Sequence, residues 1–499
     1  MADPPNILIV MSDQQRPDFS SHEGYPLDTT PALDRLVDAG VGFQRAYTPT
    51  PICLPARCSL FTGRFPTAHG MRSNFRGTEG IRYTEDLLDI VKKHGYATGL
   101  LGKNHSHRKR EAFDWYRGYN HRRGTHRDDS RVEDEAFDGF LDGLNNGVAT
   151  EPTPFDLHFQ FPVRIVQDTL AYFKAFSEKP KFAWVSFPEP HSPYQVPEPY
   201  FSMFQPDAIP ERAAGPEILS EKGFPWDWQH TFANFRVPGC VDDWRRYRAN
   251  YLGMIRLIDD QIQVLLDGLG ELGEMENTYV IFLSDHGDYA GDYGLPRKGV
   301  GLPEVLVRVP MIWTGPGIQP SNVGDHPFVS LVDIFPTVCE LLGEEIPFGV
   351  QGRSLLPILK QQTYPEREFA SIFAEYGYGG LPLTEVGEAG YDRPTSIQKN
   401  QQGENGFDEI NDVTNAGAWK MVRKGDWKLA YMFRGKEELY HVRQDPYELE
   451  NKIEDPECAA IRDDLRLELI DWMVRIDETL PFNRYTMDRD VIHNYTWDM

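Results

Sequence analysis

The chain has 499 residues, which is long for one domain, and its fractions of 40% hydrophobic and 25% charged residues are typical of a globular protein with a sizeable core. Its formal net charge of −25 argues against nucleic acid and against an anionic membrane surface as general partners. No apolar stretch approaches the length of a membrane-spanning helix, so no membrane partner is expected.

The five cysteines are scattered and odd in number, so they predict neither a disulfide framework nor a zinc site, and they favour a reducing compartment. The first five residues, Met-Ala-Asp-Pro-Pro, show no basic or apolar signal-peptide pattern. We therefore expect a cytoplasmic protein if this start is native, and a periplasmic or secreted protein if a signal peptide has been removed.

Four apolar runs, at residues 7–11, 98–101, 182–187 and 279–283, are typical of strands that are covered on both faces. Each run is followed by charged or metal-binding residues: Asp13 and Gln14, then Lys103 and His105, then His191, and finally Asp285 and His286. Helical patterns lie between the runs, which predicts a mostly parallel sheet. Because ligands bind beyond the carboxyl ends of such strands, we expect these side chains to converge on one edge of the sheet.

The helical patterns have recognisable ends. One begins at Pro31 after the N-cap residue Thr30, a second spans residues 84–94, and a long amphipathic one spans residues 251–269. Pro55 suits the first turn of a further helix, so Cys53 is expected just before a helix N-terminus, where a partial positive charge favours an anion.

The C-terminal part of the chain differs in composition and in its pattern of apolar residues. Residues 376–415 are rich in Gly and polar residues and predict a long loop. Two strand patterns then flank Gly425 and Asp426, a hairpin signal, and a helix follows to residue 476. We predict an α/β fold with a mostly parallel central sheet flanked by helices, followed by a smaller antiparallel sheet plus helix. The expected division is an N-terminal catalytic domain at residues 1–375 and a C-terminal α+β subdomain with its linker at residues 376–499.

Residues 53–64 contain Cys53-x-Pro55-x-Arg57, then four residues, then Thr62-Gly63-Arg64. This segment resembles the signature of type I sulfatases, of the alkaline-phosphatase-like superfamily, in which the cysteine is oxidised to formylglycine (3-oxoalanine). The resemblance extends along most of the chain. It implies a sulfuric ester hydrolase that takes a small anionic substrate, a sulfated saccharide or another sulfate ester, and that depends on formylglycine-generating machinery to modify Cys53.

The resemblance also implies one divalent metal, bound by Asp13, Gln14, Asp285 and His286. Two carboxylates and an amide oxygen suit a hard ion, so Ca²⁺ is expected first, with Mg²⁺ and Mn²⁺ as alternatives. Many family members have a second Asp in place of Gln14 and an Asn in place of His286.

The remaining roles also follow from the resemblance. Modified Cys53 is the expected nucleophile, and Arg57 is expected to hold its loop. Lys103 and Lys298 are expected to bind the sulfate oxygens. His191 is expected to protonate the leaving oxygen and to contact the substrate, whereas His105 is expected to take the proton that releases sulfate.

Other interpretations stay open at this point. A basic stretch at residues 107–123 is interpreted as a solvated or ion-paired loop, or alternatively as a subsite for an anionic substrate. A phosphonate monoester or phosphodiester hydrolase of the same superfamily is the main alternative to a carbohydrate sulfatase, because that branch shares the Asp-Gln and Asp-His pairs. Choline sulfatase and a scaffold protein with a sulfatase-like fold are weaker alternatives.

Overall fold

The computed structural model describes residues 4–74, 78–124, 132–231, 233, 237–324, 326–377, 418–433, 437–477 and 493–495. Within these ranges a large sheet has eight strands in the order β5-β4-β6-β1-β7-β8-β2-β9. Its strands are β1 (Asn6–Ser12), β2 (Val41–Gly42), β4 (Ala97–Gly102), β5 (Trp115–Gly118), β6 (Lys181–Ser186), β7 (Thr278–Ser284), β8 (Met311–Thr314) and β9 (Ser321–Asn322), while β3 (Ala46–Tyr47) and β10 (Val329–Ser330) pair separately.

The centre of the large sheet is parallel. Strands β5, β4, β6, β1 and β7 run in one direction, whereas β8 is antiparallel to β7 and β2 is antiparallel to β8. The predicted mostly parallel sheet is confirmed, and the four predicted strands are its neighbours β4-β6-β1-β7. Their carboxyl ends therefore lie side by side.

Helices cover both faces of this sheet. The helices are α1 (Pro31–Ala39), α2 (Cys53–Thr62), α3 (Pro66–His69), α4 (Leu87–Lys93), α5 (Val132–Leu144), α6 (Phe161–Ala175), α7 (Tyr200–Met203), α8 (Leu219–Lys222), α9 (Phe224–Thr231), α10 (Trp244–Glu271), α11 (Glu304–Val307), α12 (Ile334–Leu341), α13 (Leu356–Leu359) and α14 (Ala459–Ile476). Leu8 and Val10 of β1 share a buried cluster with α6 and α10, whereas Ile7 and Ile9 share one with α2, α4 and α12. This alternation explains why the strands are apolar throughout.

A second sheet has the order β11-β12-β13-β14 and is antiparallel: β11 (Ser371–Tyr376), β12 (Trp419–Lys424), β13 (Trp427–Met432) and β14 (Glu437–His441). Helix α14 packs on it through Leu465, Leu469 and Trp472. The predicted hairpin turns at Gly425, which has a positive φ of 59°. The predicted antiparallel sheet plus helix is confirmed. The division after residue 375 stays a prediction, although β11, which crosses that boundary, belongs to this second sheet.

Several element boundaries differ from expectation. Helix α4 begins at Leu87 rather than at residue 84, because the Asp86 side chain caps it by accepting from the amides of Leu88 and Asp89. Helix α10 begins seven residues earlier than expected, at Trp244, where the Asp243 side chain caps it. Strand β5 was not predicted. Most of the predicted loop at residues 376–415 lies outside the described residues. Within the described ranges, no helix combines the length and apolar character needed to cross a lipid bilayer.

Candidate active site

The four neighbouring strand ends bring the predicted residues together. Asp13 follows β1, Lys103 follows β4, His191 lies beyond β6, and Asp285 follows β7. Close contacts between the strand ends hold this edge: the Lys103 amide donates to the Ser186 carbonyl at 2.7 Å, and the Asp13 amide donates to the Glu189 carbonyl at 3.0 Å. The predicted convergence on one sheet edge is confirmed.

Gly102 makes the contact between β4 and β6 possible. Its φ is +121°, and a Cβ placed there would lie 1.9 Å from the Ser186 carbonyl oxygen. A side chain at this position would push β4 away from β6, and Lys103 with it.

Cys53 and Arg57 lie one turn apart on the buried helix α2. Cys53 is the first residue of the helix rather than the residue before it, with Ile52 as N-cap. Arg57 donates from Nε to Asp285 Oδ2 at 2.8 Å and from Nη2 to Asp13 Oδ2 at 3.1 Å. Its Nη1 donates to Ser186 Oγ at 2.7 Å and to the Lys103 carbonyl at 3.0 Å. The i, i+4 spacing therefore places residue 53 against the strand ends that Arg57 ties together.

The second half of the motif ends the helix. Gly63 closes α2 in the left-handed conformation, with a φ of 62°, and its carbonyl accepts from the amides of Gln351 and Gly352 at 2.8 and 3.0 Å. Arg64 donates to the Gly349 carbonyl. Gly63 and Arg64 thus anchor the end of the helix to residues 349–352, away from the strand ends, whereas the Thr62 hydroxyl donates within the helix to the Cys58 carbonyl.

Asp13, Cys53, Asp285 and His286 form a fully buried group whose potential ligand atoms lie within 4.8 Å of one another. His286 Nδ1 lies 2.8 Å from the Gly287 carbonyl oxygen, to which it can only donate, so Nε2 is the nitrogen that carries a lone pair whenever the ring is neutral. Burial disfavours the imidazolium, but Asp285 and Cys53 outweigh it and raise the pKa of His286. Nε2 lies 3.9 Å from Asp13 Oδ1 and 3.7 Å from Asp285 Oδ1. Two carboxylates and an imidazole lone pair so close together form a donor set that fits a divalent cation.

Gln14 presents its side-chain oxygen on the same side. Lys298 Nζ donates to Gln14 Oε1 at 3.2 Å, and the backbone amide of Gln14 donates to Asp285 Oδ1 at 3.1 Å. The residue has a positive φ of 74°, which is uncommon outside glycine and is held here by the buried surroundings. The four predicted metal ligands therefore lie together.

Cations and imidazole surround the Cys53 thiol. Its Sγ lies 3.1 Å from His286 Nε2, 3.3 Å from Lys298 Nζ and 3.7 Å from Asp13 Oδ1. Burial and Asp13 oppose ionisation of the thiol, but Lys103, Lys298 and His286 outweigh them and hold the pKa of Cys53 well below its usual range. The position therefore favours negative charge on residue 53.

Lys103 bridges the two sides of the site. Its Nζ pairs with Asp13 Oδ2 and lies 2.8 Å from His121 Nε2. Burial alone would raise the pKa of Asp13, but Lys103 and Arg57 outweigh it and hold that pKa well below its usual range. Asp13 is therefore a carboxylate throughout the neutral pH range.

His191 lies between an imidazole and a guanidinium. Its ring stacks on His121 with centroids 3.7 Å apart, its Nδ1 lies 3.0 Å from the Ser192 carbonyl oxygen, and its Nε2 lies 3.0 Å from Arg297 Nη2. Burial, His121 and Arg297 all disfavour the imidazolium, so the pKa of His191 is well below its usual range.

His105 lies near residue 53 on the strand-end side. Burial lowers the pKa of His105, and Lys103 and Arg57 lower it further, although the Cys53 thiol opposes them. Its Nδ1 is buried without a hydrogen-bond partner among the described residues. A neutral imidazole in this place can accept a proton.

The basic stretch divides into two parts. Arg108 pairs with Asp86 and Asp89, and Arg123 pairs with Asp142, so these cations have acidic partners within the chain. His121 instead enters the site. The contacts favour the ion-paired interpretation for the arginines over a substrate subsite.

Sequence reasoning missed three residues at the site: His121 and Arg297, which contact His191, and Asp288, whose Oδ2 accepts from Gln14 Nε2. Each belongs to a segment that the sequence analysis considered, since His121 lies in the basic stretch, Arg297 precedes Lys298, and Asp288 follows His286 by two positions. The available signal was proximity in sequence to a predicted site residue, which does not separate a site residue from a solvated neighbour. The roles of all predicted site residues stay predictions.

Known proteins resemble this chain in sequence. A family model described as Sulfatase matches residues 5–344, more than half of the chain. An arylsulfatase of Clostridium perfringens is 28% identical over 495 residues, which cover 93% of this chain and 94% of that protein.

Solved structures share the fold. A phosphonate monoester hydrolase of Agrobacterium radiobacter superposes with a TM-score of 0.76 at 23% identity, covering 95% of this chain and 96% of that chain. A further structure, in complex with its substrate D-glucosamine-2-N,6-O-disulfate, superposes with a TM-score of 0.71 at 19% identity, covering 95% and 98%. At these identities the two structures show the fold alone. The family match decides membership: this chain belongs to the sulfatase family of enzymes, which hydrolyse sulfate esters.

Proposed function

We propose that this protein is a formylglycine-dependent sulfatase that acts on a sulfated carbohydrate, with residue 53 as the nucleophile and one divalent metal beside it. The observation that carries the proposal is the buried group of Asp13, Cys53, Asp285 and His286, whose ligand atoms lie within 4.8 Å of one another. Lys298 Nζ, 3.3 Å from Cys53 Sγ, adds a cation at the same point.

Asp13, Gln14, Asp285 and His286 would hold the metal, with Ca²⁺ expected before Mg²⁺ or Mn²⁺ because three of the four ligand atoms are oxygens. When bound, the metal supplies positive charge beside the reacting group. Arg57 would position two of the metal ligands, since it donates to the carboxylates of Asp13 and Asp285.

Formylglycine at position 53, once hydrated, supplies a hydroxyl that can attack sulfur and a second hydroxyl whose deprotonation can release sulfate. The ammonium groups of Lys103 and Lys298 flank that position and would neutralise the charge that the sulfuryl oxygens carry in the transition state. This is the same strategy by which enzymes stabilise phosphoryl transfer.

Two histidines would move the protons. Nδ1 of His191 is directed to the Ser192 carbonyl, so Nε2, which accepts from Arg297 Nη2 in the neutral ring, is the nitrogen that would have to take up a proton and give it to the leaving alcohol. His105, which burial and Lys103 keep neutral, would take the proton from the second hydroxyl of residue 53.

A sulfated carbohydrate is proposed as the substrate because one structural neighbour was solved with a sulfated glucosamine. A phosphonate monoester hydrolase is the second candidate. Two observations favour it. The pairs Asp13-Gln14 and Asp285-His286 are the ligand pairs expected of that branch, and the hydrolase of Agrobacterium radiobacter shares the fold over 95% of this chain.

Competing substrates on one enzyme preparation separate the two candidates. We would produce the chain together with formylglycine-generating machinery and measure kcat/KM on 4-nitrophenyl sulfate and on a phenylphosphonate monoester. The proposal expects the sulfate to be favoured by at least about tenfold, or about 1.4 kcal/mol of transition-state binding. Preference for the phosphonate would replace the proposal with the second candidate. If the sulfate is preferred, sulfate release from sulfated glucosamine and galactose, but not from choline sulfate, would support a sulfated carbohydrate as the substrate.

A further inference from the structure

Gln14 is the predicted metal ligand that departs from the Asp of many family members, and its surroundings give a physical reason. The side-chain nitrogen, Nε2, donates to Asp288 Oδ2 and lies 3.4 Å from the Tyr194 hydroxyl. The side-chain oxygen, Oε1, faces Lys298 Nζ at 3.2 Å. Turning the amide over would place its oxygen against a carboxylate and its NH₂ group against an ammonium, so the network fixes which atom faces the metal ligands.

Asp288 is itself held by neutral donors. The Tyr194 hydroxyl donates to Oδ2 at 2.8 Å, the Tyr247 hydroxyl donates to Oδ1 at 2.8 Å, and the Ala290 amide donates to Oδ1 at 2.7 Å. Asp288 and both tyrosines are fully buried. Together with the side-chain amide of Gln14, four donors point at the two carboxylate oxygens of Asp288. Asp288 therefore accepts a hydrogen bond from each of these partners.

The Gln14 backbone is fixed as well. The Tyr251 hydroxyl donates to the Gln14 carbonyl at 2.5 Å, and Tyr251 lies one turn after Tyr247 on α10. The Tyr247 hydroxyl also accepts from the Arg297 amide at 3.2 Å, next to Lys298. One buried network therefore holds both Gln14 and the segment that carries Lys298.

We propose that Asp288 is a positioning residue that selects an amide at position 14 and directs Gln14 Oε1 toward the metal. A carboxylate at position 14 would place two like charges at hydrogen-bond distance in a buried space, which is costly. The pair is reciprocal: position 14 is an amide because position 288 is a carboxylate. This inference rests on the metal site of the proposed function.

A double-mutant cycle tests the pairing, with metal affinity measured by competition with a chelator on the full chain. Mn²⁺ and Ca²⁺ are the probes, and the variants are Gln14→Glu, Asp288→Asn and the two combined. Each single variant should bind metal at least about tenfold more weakly: Asp288→Asn because the ligand loses its outer partner, and Gln14→Glu because two buried carboxylates then face each other. In the combined variant the new amide at position 288 can donate to the new carboxylate at position 14, so affinity should return to within about threefold of the parent.

A simple ligand-charge argument predicts the opposite sign for Gln14→Glu, because a carboxylate normally binds Ca²⁺ better than an amide does. Tighter binding by Gln14→Glu, or independent effects of the two substitutions, would overturn the inference. If Asp288→Asn does not fold, the sign for Gln14→Glu alone still decides.

Two controls separate other causes. Asp259→Asn removes another buried carboxylate, which accepts from the amides of Ala32 and Leu33 at the start of α1, so it should lower stability but leave metal affinity unchanged. A parent chain that binds neither metal would reject the proposed metal site itself, whereas a parent that binds metal without coupling between positions 14 and 288 rejects only this inference.

Discussion

Two buried groups of charges differ in how their cations and carboxylates pair. At the edge of the large sheet, Lys103 and Arg57 both contact the same oxygen of Asp13, whereas in the second group each glutamate oxygen that forms an ion pair contacts a single cation. This inter-sheet cluster consists of Tyr47, Glu304, Arg423, Lys428 and Glu448. Lys428 Nζ lies 2.8 Å from a Glu448 oxygen and 3.2 Å from a Glu304 oxygen, and Arg423 Nη1 lies 2.6 Å from the other Glu304 oxygen.

The two groups differ in what their charges do. In the inter-sheet cluster, burial would raise the pKa of Glu304, but Arg423 and Lys428 outweigh it and lower that pKa to about 2. Its ion pairs link the second sheet to the segment just after Lys298. At the sheet edge, cations surround the two carboxylates of Asp13 and Asp285 and the Cys53 thiol. Breaking a pair in the inter-sheet cluster would leave a buried charge without its partner, which is costly for the fold, whereas at the sheet edge the carboxylates suit an added metal and the cations suit an anionic substrate.

The largest effect is expected from Asp13→Asn. Removing this charge takes away a predicted metal ligand and leaves Lys103 and Arg57 facing a neutral oxygen. Activity on 4-nitrophenyl sulfate should fall by about a hundredfold to a thousandfold, and bound metal should be lost while circular dichroism is unchanged. Full activity with bound metal would show that the sheet edge is not the reactive site.

Lys428→Met should affect stability instead of catalysis. It leaves Glu304 and Glu448 buried without their shared cation, so urea unfolding should show a loss of about 3–5 kcal/mol. The folded enzyme should keep kcat within about twofold because the site contacts are intact. Lys452→Met, which removes an exposed pair with Glu450, is the control and should change stability by less than about 0.5 kcal/mol. A large loss of kcat at unchanged stability in Lys428→Met would erase the distinction between the two groups.

Arg297→Met should move the pH dependence of the reaction. His191 can act as an acid only while protonated, and burial, His121 and Arg297 lower its pKa. Activity on a substrate with a poor leaving group should therefore fall as pH rises through this lowered pKa. Removing the Arg297 charge favours the imidazolium, so the basic limb of kcat/KM should shift upward by about one pH unit. An unchanged limb would show that His191 is not the group that titrates.

The smallest effect is expected at the basic stretch. Replacing Arg122 and Arg123 with Ala removes cations that already pair with Asp142, which lies outside the site. KM for a sulfated disaccharide should change by less than about twofold, as for other exposed pairs. A KM that rises tenfold would restore the subsite interpretation.

The sequence predicted which residues meet at the sheet edge where strand ends determine their positions. Asp13, Lys103, His191 and Asp285 each follow an apolar run, and parallel pairing brings such residues to one edge whatever the loops do. The same reasoning could not find Asp288, because the hydrogen bonds that hold it come from Tyr194, in a loop after β6, and from Tyr247, in α10. Contacts that join distant segments leave no local periodicity.

Boundaries were less predictable than the elements themselves. The pattern at residues 84–94 predicts a helix, but the Asp86 side chain satisfies the first free amides and so sets the start at Leu87. Strand β5 was missed because Trp115–Gly118 is short and only partly covered, so it lacks the apolar run that identified its neighbours.

The central claim is that residue 53 is a formylglycine nucleophile, and mass spectrometry of one peptide tests it most directly. Trypsin cleavage after Arg45 and Arg57 releases residues 46–57, which contain Cys53 and no other cysteine. In protein produced with formylglycine-generating machinery, we predict that this peptide carries an aldehyde in place of the thiol, and that the modified fraction rises in proportion to sulfatase activity. A fully active preparation in which residue 53 is an unmodified thiol would contradict the account.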